Sequence, residues 1–132
     1  MGVHVRVLIV DDQDYIRRGL KAFLLDEPTI EICGEAVNGS DAIAKAKKLR
    51  PDVVIMDISM PIVDGLRATK VIRQMLPSIE VITLSQYELP DPSEVLKAGA
   101  RTHVAKLELW DKLLPALRCL ERPSAENTSS TI

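Results

Sequence analysis

At 132 residues the chain is long enough for one core burying roughly two-thirds of its unfolded surface and too short for two ordinary domains. Its hydrophobic share of 46% with 27% charged residues excludes intrinsic disorder as the general state. A formal net charge of -2 leaves no basic surplus for gripping a phosphate backbone, which removes the main electrostatic term of direct nucleic-acid binding.

The first element is a strand from Val5 to Val10, a β-branched apolar run of the kind buried on both faces in a parallel sheet. Its apolar core, Val7 to Val10, is far below signal-peptide or membrane-span length and gives way at once to Asp11 and Asp12, so a cytoplasmic protein without a membrane segment is expected. Ile16, Leu20, Phe23 and Leu24 then repeat at helical spacing between Asp14 and Leu25, with Pro28 closing that helix. A second strand is expected from Thr29 to Ala36. The next helix is capped by Asn38 or Ser40, carries Ala42, Ile43, Ala46 and Leu49 on its apolar face, turns Lys45, Lys47 and Lys48 mainly to water, and ends at Pro51.

A third strand follows at Asp52 to Met56, a helix at Asp64 to Met75 and a fourth strand at Ile79 to Leu84. Asp91 and Pro92 read as the cap and first residue of a short helix that stops at Gly99, and Thr102 to Ala105 as the fifth strand. Leu109, Leu113, Leu114, Leu117 and Leu120 form a last helical stripe, most of it expected in the core. Strict strand–helix alternation predicts a doubly wound α/β fold with a parallel sheet covered on both faces. The domain is expected to span residues 1–122. Residues 123–132, rich in Ser, Thr and Asn, read as a tail or the start of an interdomain linker. Cys33 and Cys119 have no metal-ligand or CxxC spacing and are expected to be buried apolar filler.

In an open parallel sheet, ligands bind beyond the carboxyl ends of the strands. Polar candidates fall there on four strands: Asp11 and Asp12, Asp57, Ser85, and Lys106. Each alone has an ordinary explanation, as a helix start, a turn residue, a loop opener or a surface lysine. Their joint placement points to a site. Three carboxylates repel one another unless a cation neutralises them, and hard oxygen donors suit Mg2+, an ion that pairs with one or two carboxylates and a phosphate. A carboxylate can attack phosphorus, Lys106 can neutralise charge on the transferred group, and the Ser85 hydroxyl can bond one of its oxygens.

At these residues the chain resembles the receiver domains of two-component response regulators, over residues 5 to about 120. The resemblance rests on Val10-Asp11-Asp12, Met56-Asp57-Ile58-Ser59-Met60-Pro61, Asp64-Gly65, Leu84-Ser85 and Lys97-Ala98-Gly99-Ala100 followed by Lys106. It implies a flavodoxin-like sheet of the chemotaxis-receiver kind, strand order 2-1-3-4-5. It further implies that Asp57 accepts phosphate from a sensor histidine kinase, that Asp11, Asp12, Asp57 and the backbone carbonyl of Ser59 hold Mg2+, and that Ser85 and Lys106 sense the phosphate. The segment Lys106-Leu107 through Leu114 is most similar to receivers of the NarL/FixJ type, which usually precede a helix-turn-helix DNA-binding domain; a homodimer, and DNA reached only through such a domain, are the implied partners. The chain reads either as an excised receiver with the start of its linker or as a stand-alone receiver, and the Pro/Ser/Thr tail favours excision.

Two positions depart from the family pattern. Leu107 stands where many receivers have proline, which argues against a cis peptide there. His103 stands where many have an aromatic switch residue, with Tyr87 as a substitute aromatic; a strand histidine and a loop tyrosine without switching roles are the plain alternatives. A phosphohydrolase of the haloacid-dehalogenase type would need a second aspartate where Ser59 stands. A flavodoxin-like electron carrier would have Asp11 and Asp12 repel its phosphate. A phosphorylation-independent interaction module is the remaining alternative.

Overall fold

The computed structural model describes residues 4–60, 65–86 and 93–120. Five strands, β1 (Val5–Val10), β2 (Ile30–Ala36), β3 (Val53–Asp57), β4 (Glu80–Ser85) and β5 (Thr102–Ala105), alternate with α1 (Asp14–Leu24), α2 (Gly39–Leu49), α3 (Gly65–Met75), α4 (Ser93–Lys97) and α5 (Leu109–Arg118). All strand pairs are parallel and the order is β2-β1-β3-β4-β5. The fold and strand order expected from the sequence are the ones observed.

Each central strand is a near-continuous apolar run because both of its faces are covered. On one face Val7, Ile9, Ile55, Ile82 and Leu84 pack with Leu20 and Leu24 of α1 and Leu109, Leu113 and Leu117 of α5. On the other, Leu8, Val10, Val54, Met56 and Val81 meet Ala42 and Ala46 of α2 and Ala68 and Ile72 of α3. Burying one such leucine contributes about 1.5–3 kcal/mol.

Local chemistry sets the boundaries. Asn38 caps α2 by accepting from the Asp41 amide at 2.8 Å, and Arg50 ends it in the left-handed region at φ 50°. Lys47 and Lys48 face water, but Lys45 folds back onto Asp41 at 3.2 Å. Gly99 ends the α4 segment at φ 108°, a conformation that disfavours any side chain. The proposed cap at Asp91 and Pro92 lies outside the described residues, as do Pro61, Asp64 and residues 123–132.

Several expectations need correction. β3 and β4 each run one residue further than expected, because pairing continues through Asp57↔Leu84 and the Ile58 amide donates to Leu84 O at 2.9 Å. The side chains expected just beyond those strands therefore sit on their last residues, held by the sheet. Lys106–Glu108 form a 3₁₀ turn leading into α5. Cys119 is exposed at the carboxyl end of α5, two residues past the buried Leu117; Cys33 is half-buried, the extra residue of a bulge where Val7↔Ile32 gives way to Leu8↔Gly34. Cys119 is thus not core filler, while Cys33, though only half-buried, packs against the core shared by α2, α3 and the sheet.

Candidate functional site

β1 and β3 are adjacent, so their carboxyl ends bring Asp11, Asp12 and Asp57 together. One carboxylate oxygen from each lies within 4.8 Å of the others. Asp11 and Asp57 are fully buried, whereas Asp12 is exposed. Among the described residues this is the one cluster of acidic, histidine or cysteine side chains with metal-holding geometry.

The two buried carboxylates are held alike. Asp11 Oδ1 accepts from the Gln13 amide and Asp57 Oδ1 from the Ser59 amide, both at 2.9 Å and both two residues on. These bonds fix each carboxylate and leave its Oδ2 toward Lys106, whose Nζ lies 3.0 Å from Asp11 Oδ2 and 3.4 Å from Asp57 Oδ2. The contact with Asp11 is off the hydrogen-bond direction, so this buried oxygen has charge compensation without a well-aligned donor.

Electrostatics match the geometry. Burial, helped by the Asp57 charge, pushes the Asp11 carboxyl above its usual range despite the Gln13 amide and Lys106. Burial alone would lower Lys106, but Asp11 and Asp57 outweigh it and hold the ammonium above its usual range. One ammonium faces three carboxylates. A pocket with uncompensated negative charge and a buried oxygen lacking an aligned donor fits a small divalent cation with oxygen ligands.

β4 supplies the other wall. Ser85, its last residue, is buried, and its Oγ lies 2.9 Å from His103 Nε2. His103 Nδ1 lies 2.8 Å from Thr83 Oγ1. His103 is thus tied into the wall by both ring nitrogens. Ser59 is exposed; its Oγ accepts from the Gln86 amide at 3.3 Å, linking the segments after β3 and β4. Leu107 follows Lys106 without a cis bond and is 91% exposed. Tyr87 lies outside the described residues.

Three contributions escaped the sequence reading. Gln13 Oε1 accepts from Lys106 Nζ at 3.3 Å. Arg17 donates to the Asp11 carbonyl at 2.7 Å and to Glu35 at 3.0 Å, bracing the turn that carries Asp11. Gly65 opens α3 directly on the Asp57 backbone, where a Cβ would fall 2.1 Å from the Asp57 carbonyl oxygen. Only the Asp64-Gly65 dipeptide hinted at any of these. A separate cavity of about 340 Å³, lined in part by His4, Arg50, Asp52 and Glu80, opens at the amino ends of the strands, away from the aspartates.

The family profile of the response regulator receiver domain matches residues 7–118. The chain is 37% identical over 119 residues to the transcriptional regulatory protein LiaR of Bacillus subtilis, covering 89% of this chain and 56% of that protein. It is 43% identical over 106 residues to a protein-glutamate methylesterase/protein-glutamine glutaminase of Methanosarcina acetivorans, covering 79% of this chain and 30% of that one. The signal receiver domain of the NarL regulator from Mycobacterium tuberculosis superposes with a TM-score of 0.82 at 28% identity, over 89% of this chain and 97% of that one. The chain spans about half the length of the curated response regulators it matches. With its sheet order, its aspartate pocket and a profile match over most of its length in agreement, the chain belongs to the response regulator receiver domain family.

Proposed function

We propose that Asp57 accepts a phosphoryl group from the phosphohistidine of a sensor kinase, with Mg2+ held by Asp11, Asp12, Asp57 and the backbone carbonyl of Ser59. The observation that carries this reading is the paired anchoring of Asp11 and Asp57: each has one oxygen fixed by a main-chain amide and the other directed at Lys106. A carboxylate held that way is a preorganised nucleophile. Its free oxygen attacks phosphorus, the bond to the histidine nitrogen breaks, and the leaving nitrogen keeps the electron pair. When bound, Mg2+ would offset charge on the phosphoryl oxygens. Lys106, already beside Asp57, moves to the same oxygens as a point donor, and the Ser85 hydroxyl bonds one of them. Catalysis is confined to the chain's own phosphorylation and its reversal.

Phosphorylation adds charge and acceptor oxygens to a pocket now balanced by one lysine. In this reading Ser85 and Lys106 take new partners, and the segment from Gln86 to Leu109 repacks to present a changed surface. That surface controls homodimerisation or an attached output domain of the NarL/FixJ type that binds DNA, with residues 1–122 as the receiver and 123–132 as the linker. The likeness to a transcriptional regulator of which the match covers 56% supports such an output. The receiver is read as acting in the cytoplasm; no helix among the described residues is long and apolar enough to cross a membrane.

Calorimetric titration with Mg2+ tests the pocket. Wild-type protein is expected to bind one ion and the Asp11→Asn and Asp57→Asn variants to bind far more weakly. Equal binding by all three would contradict the assignment of the ion to these carboxylates.

A further inference from the structure

Thr83 and Ser85 share one face of β4, and His103 of β5 stands opposite Thr83 in parallel register. The imidazole spans the two hydroxyls, at 2.8 Å from Thr83 Oγ1 and 2.9 Å from Ser85 Oγ. Burial holds the His103 pKa below its ordinary value, which keeps the ring neutral near pH 7. A neutral imidazole has one N–H and one lone pair, so it donates to one hydroxyl and accepts from the other. The outer end of the chain sets the direction. Thr83 Oγ1 also lies 3.4 Å from the Thr102 carbonyl oxygen, which can only accept. When Thr83 gives its single proton to that carbonyl, its oxygen accepts from Nδ1–H, and Nε2 is the lone pair that takes the Ser85 proton. The reverse order would set the Thr83 and Thr102 oxygens lone pair to lone pair.

We propose that His103 is a positioning residue that holds the Ser85 hydroxyl proton in the unphosphorylated protein, so that a phosphoryl group on Asp57 competes with the His103 ring for it. This rests on the phosphoacceptor reading of Asp57. Ser85 has one proton to give. Donating it to an anionic phosphoryl oxygen makes a stronger bond than the one to neutral nitrogen, so the exchange runs forward, but its net gain is reduced by the bond given up. An apolar aromatic ring at position 103 would remove the imidazole as a competitor for that proton. His103 therefore weakens the site's hold on a phosphoryl group, and its Nε2 loses a partner whenever the site is filled.

The protein has two histidines, His4 and His103, so ¹⁵N NMR of the ring nitrogens in histidine-labelled protein reads His103 directly, with His103→Phe giving the assignment. The expected spectrum is the tautomer protonated at Nδ1, with the Nε2 signal moving when Mg2+ and beryllofluoride, a mimic of the bound phosphoryl group, are added. In parallel, His103→Phe is expected to bind beryllofluoride about three- to tenfold more tightly than wild type, and the gain to vanish when Ser85→Ala is present in both. A merely structural role for His103 would change melting temperature but produce no Ser85-dependent gain. A ring protonated at Nε2, or equal affinity in wild type and His103→Phe, overturns the competition while leaving the phosphoacceptor reading standing. Wild-type protein that binds no beryllofluoride overturns both.

Discussion

Asp11 shows most plainly how the site trades stability for chemistry. Its folded pKa is raised, chiefly by burial, so the folded state favours the protonated form and stability is lost as pH rises through that folded value. Asp11→Asn removes the buried charge and leaves Lys106 paired with Asp57. The variant is expected to melt a few degrees higher than wild type in metal-free buffer near neutral pH and to lose the rise that Mg2+ gives wild type; thermal scans with and without Mg2+ check both. Gly65 works by size. A Cβ there would meet the Asp57 carbonyl oxygen at 2.1 Å and the Ile58 Cα at 2.9 Å, atoms that move only if α3 does. Gly65→Ala is expected to cost about 1–3 kcal/mol in urea unfolding and to weaken Mg2+ binding. Asp11, Asp57 and Lys106 were legible in the sequence because each interrupts or ends an apolar run. The roles of Gln13, Arg17 and Gly65 were not, since they depend on which turn faces which helix, and no spacing encodes that.

Among the elements, the strands were the most readable, because burial on both faces makes each a short unbroken apolar run. β1 and β5 fall at the residues expected, while β3 and β4 shift by one because backbone pairing, not polarity, decides where a strand stops. That shift places Asp57 and Ser85 on rigid strand ends. The Thr83–His103–Ser85 chain was hidden because it exists only once β4 and β5 pair in register. α5 carries Pro115 at an exposed interior position, where the ring removes a helical donor; the burial of Leu113 and Leu117 on either side holds the helix regardless. Pro115→Ala is expected to raise stability by about 1–2 kcal/mol, read as a higher urea midpoint with an unchanged slope. On β2, Glu35 bonds Lys21 at 2.6 Å and Arg17 at 3.0 Å, which together hold its carboxyl below the usual range despite partial burial. Its contribution is full above the unfolded value of 4.5 and is lost as pH falls through the lower folded value. Glu35→Gln should therefore flatten that part of the acid limb of a stability–pH curve.

For the whole molecule, the five strand–helix repeats of the sequence were enough to read the sheet, because right-handed crossovers leave few ways to stack them. Cys119 was misread because composition does not say which side of a helix end a residue takes, whereas Cys33 does pack against the core, though only half-buried. What the fold achieves is convergence: residues from positions 11 to 106 meet at one end of the sheet, with a lysine balancing two of three carboxylates. In the proposed reading a divalent cation would offset the remaining carboxylate charge, and Asp57 would take the phosphoryl group. The most direct measurement is intact mass after incubation with acetyl phosphate, with and without Mg2+, for wild type and Asp57→Ala. One phosphoryl group gained by wild type only with Mg2+, and by Asp57→Ala not at all, is the predicted result. No gain by wild type, or an equal gain by Asp57→Ala, would contradict the assignment of Asp57 as the phosphoacceptor.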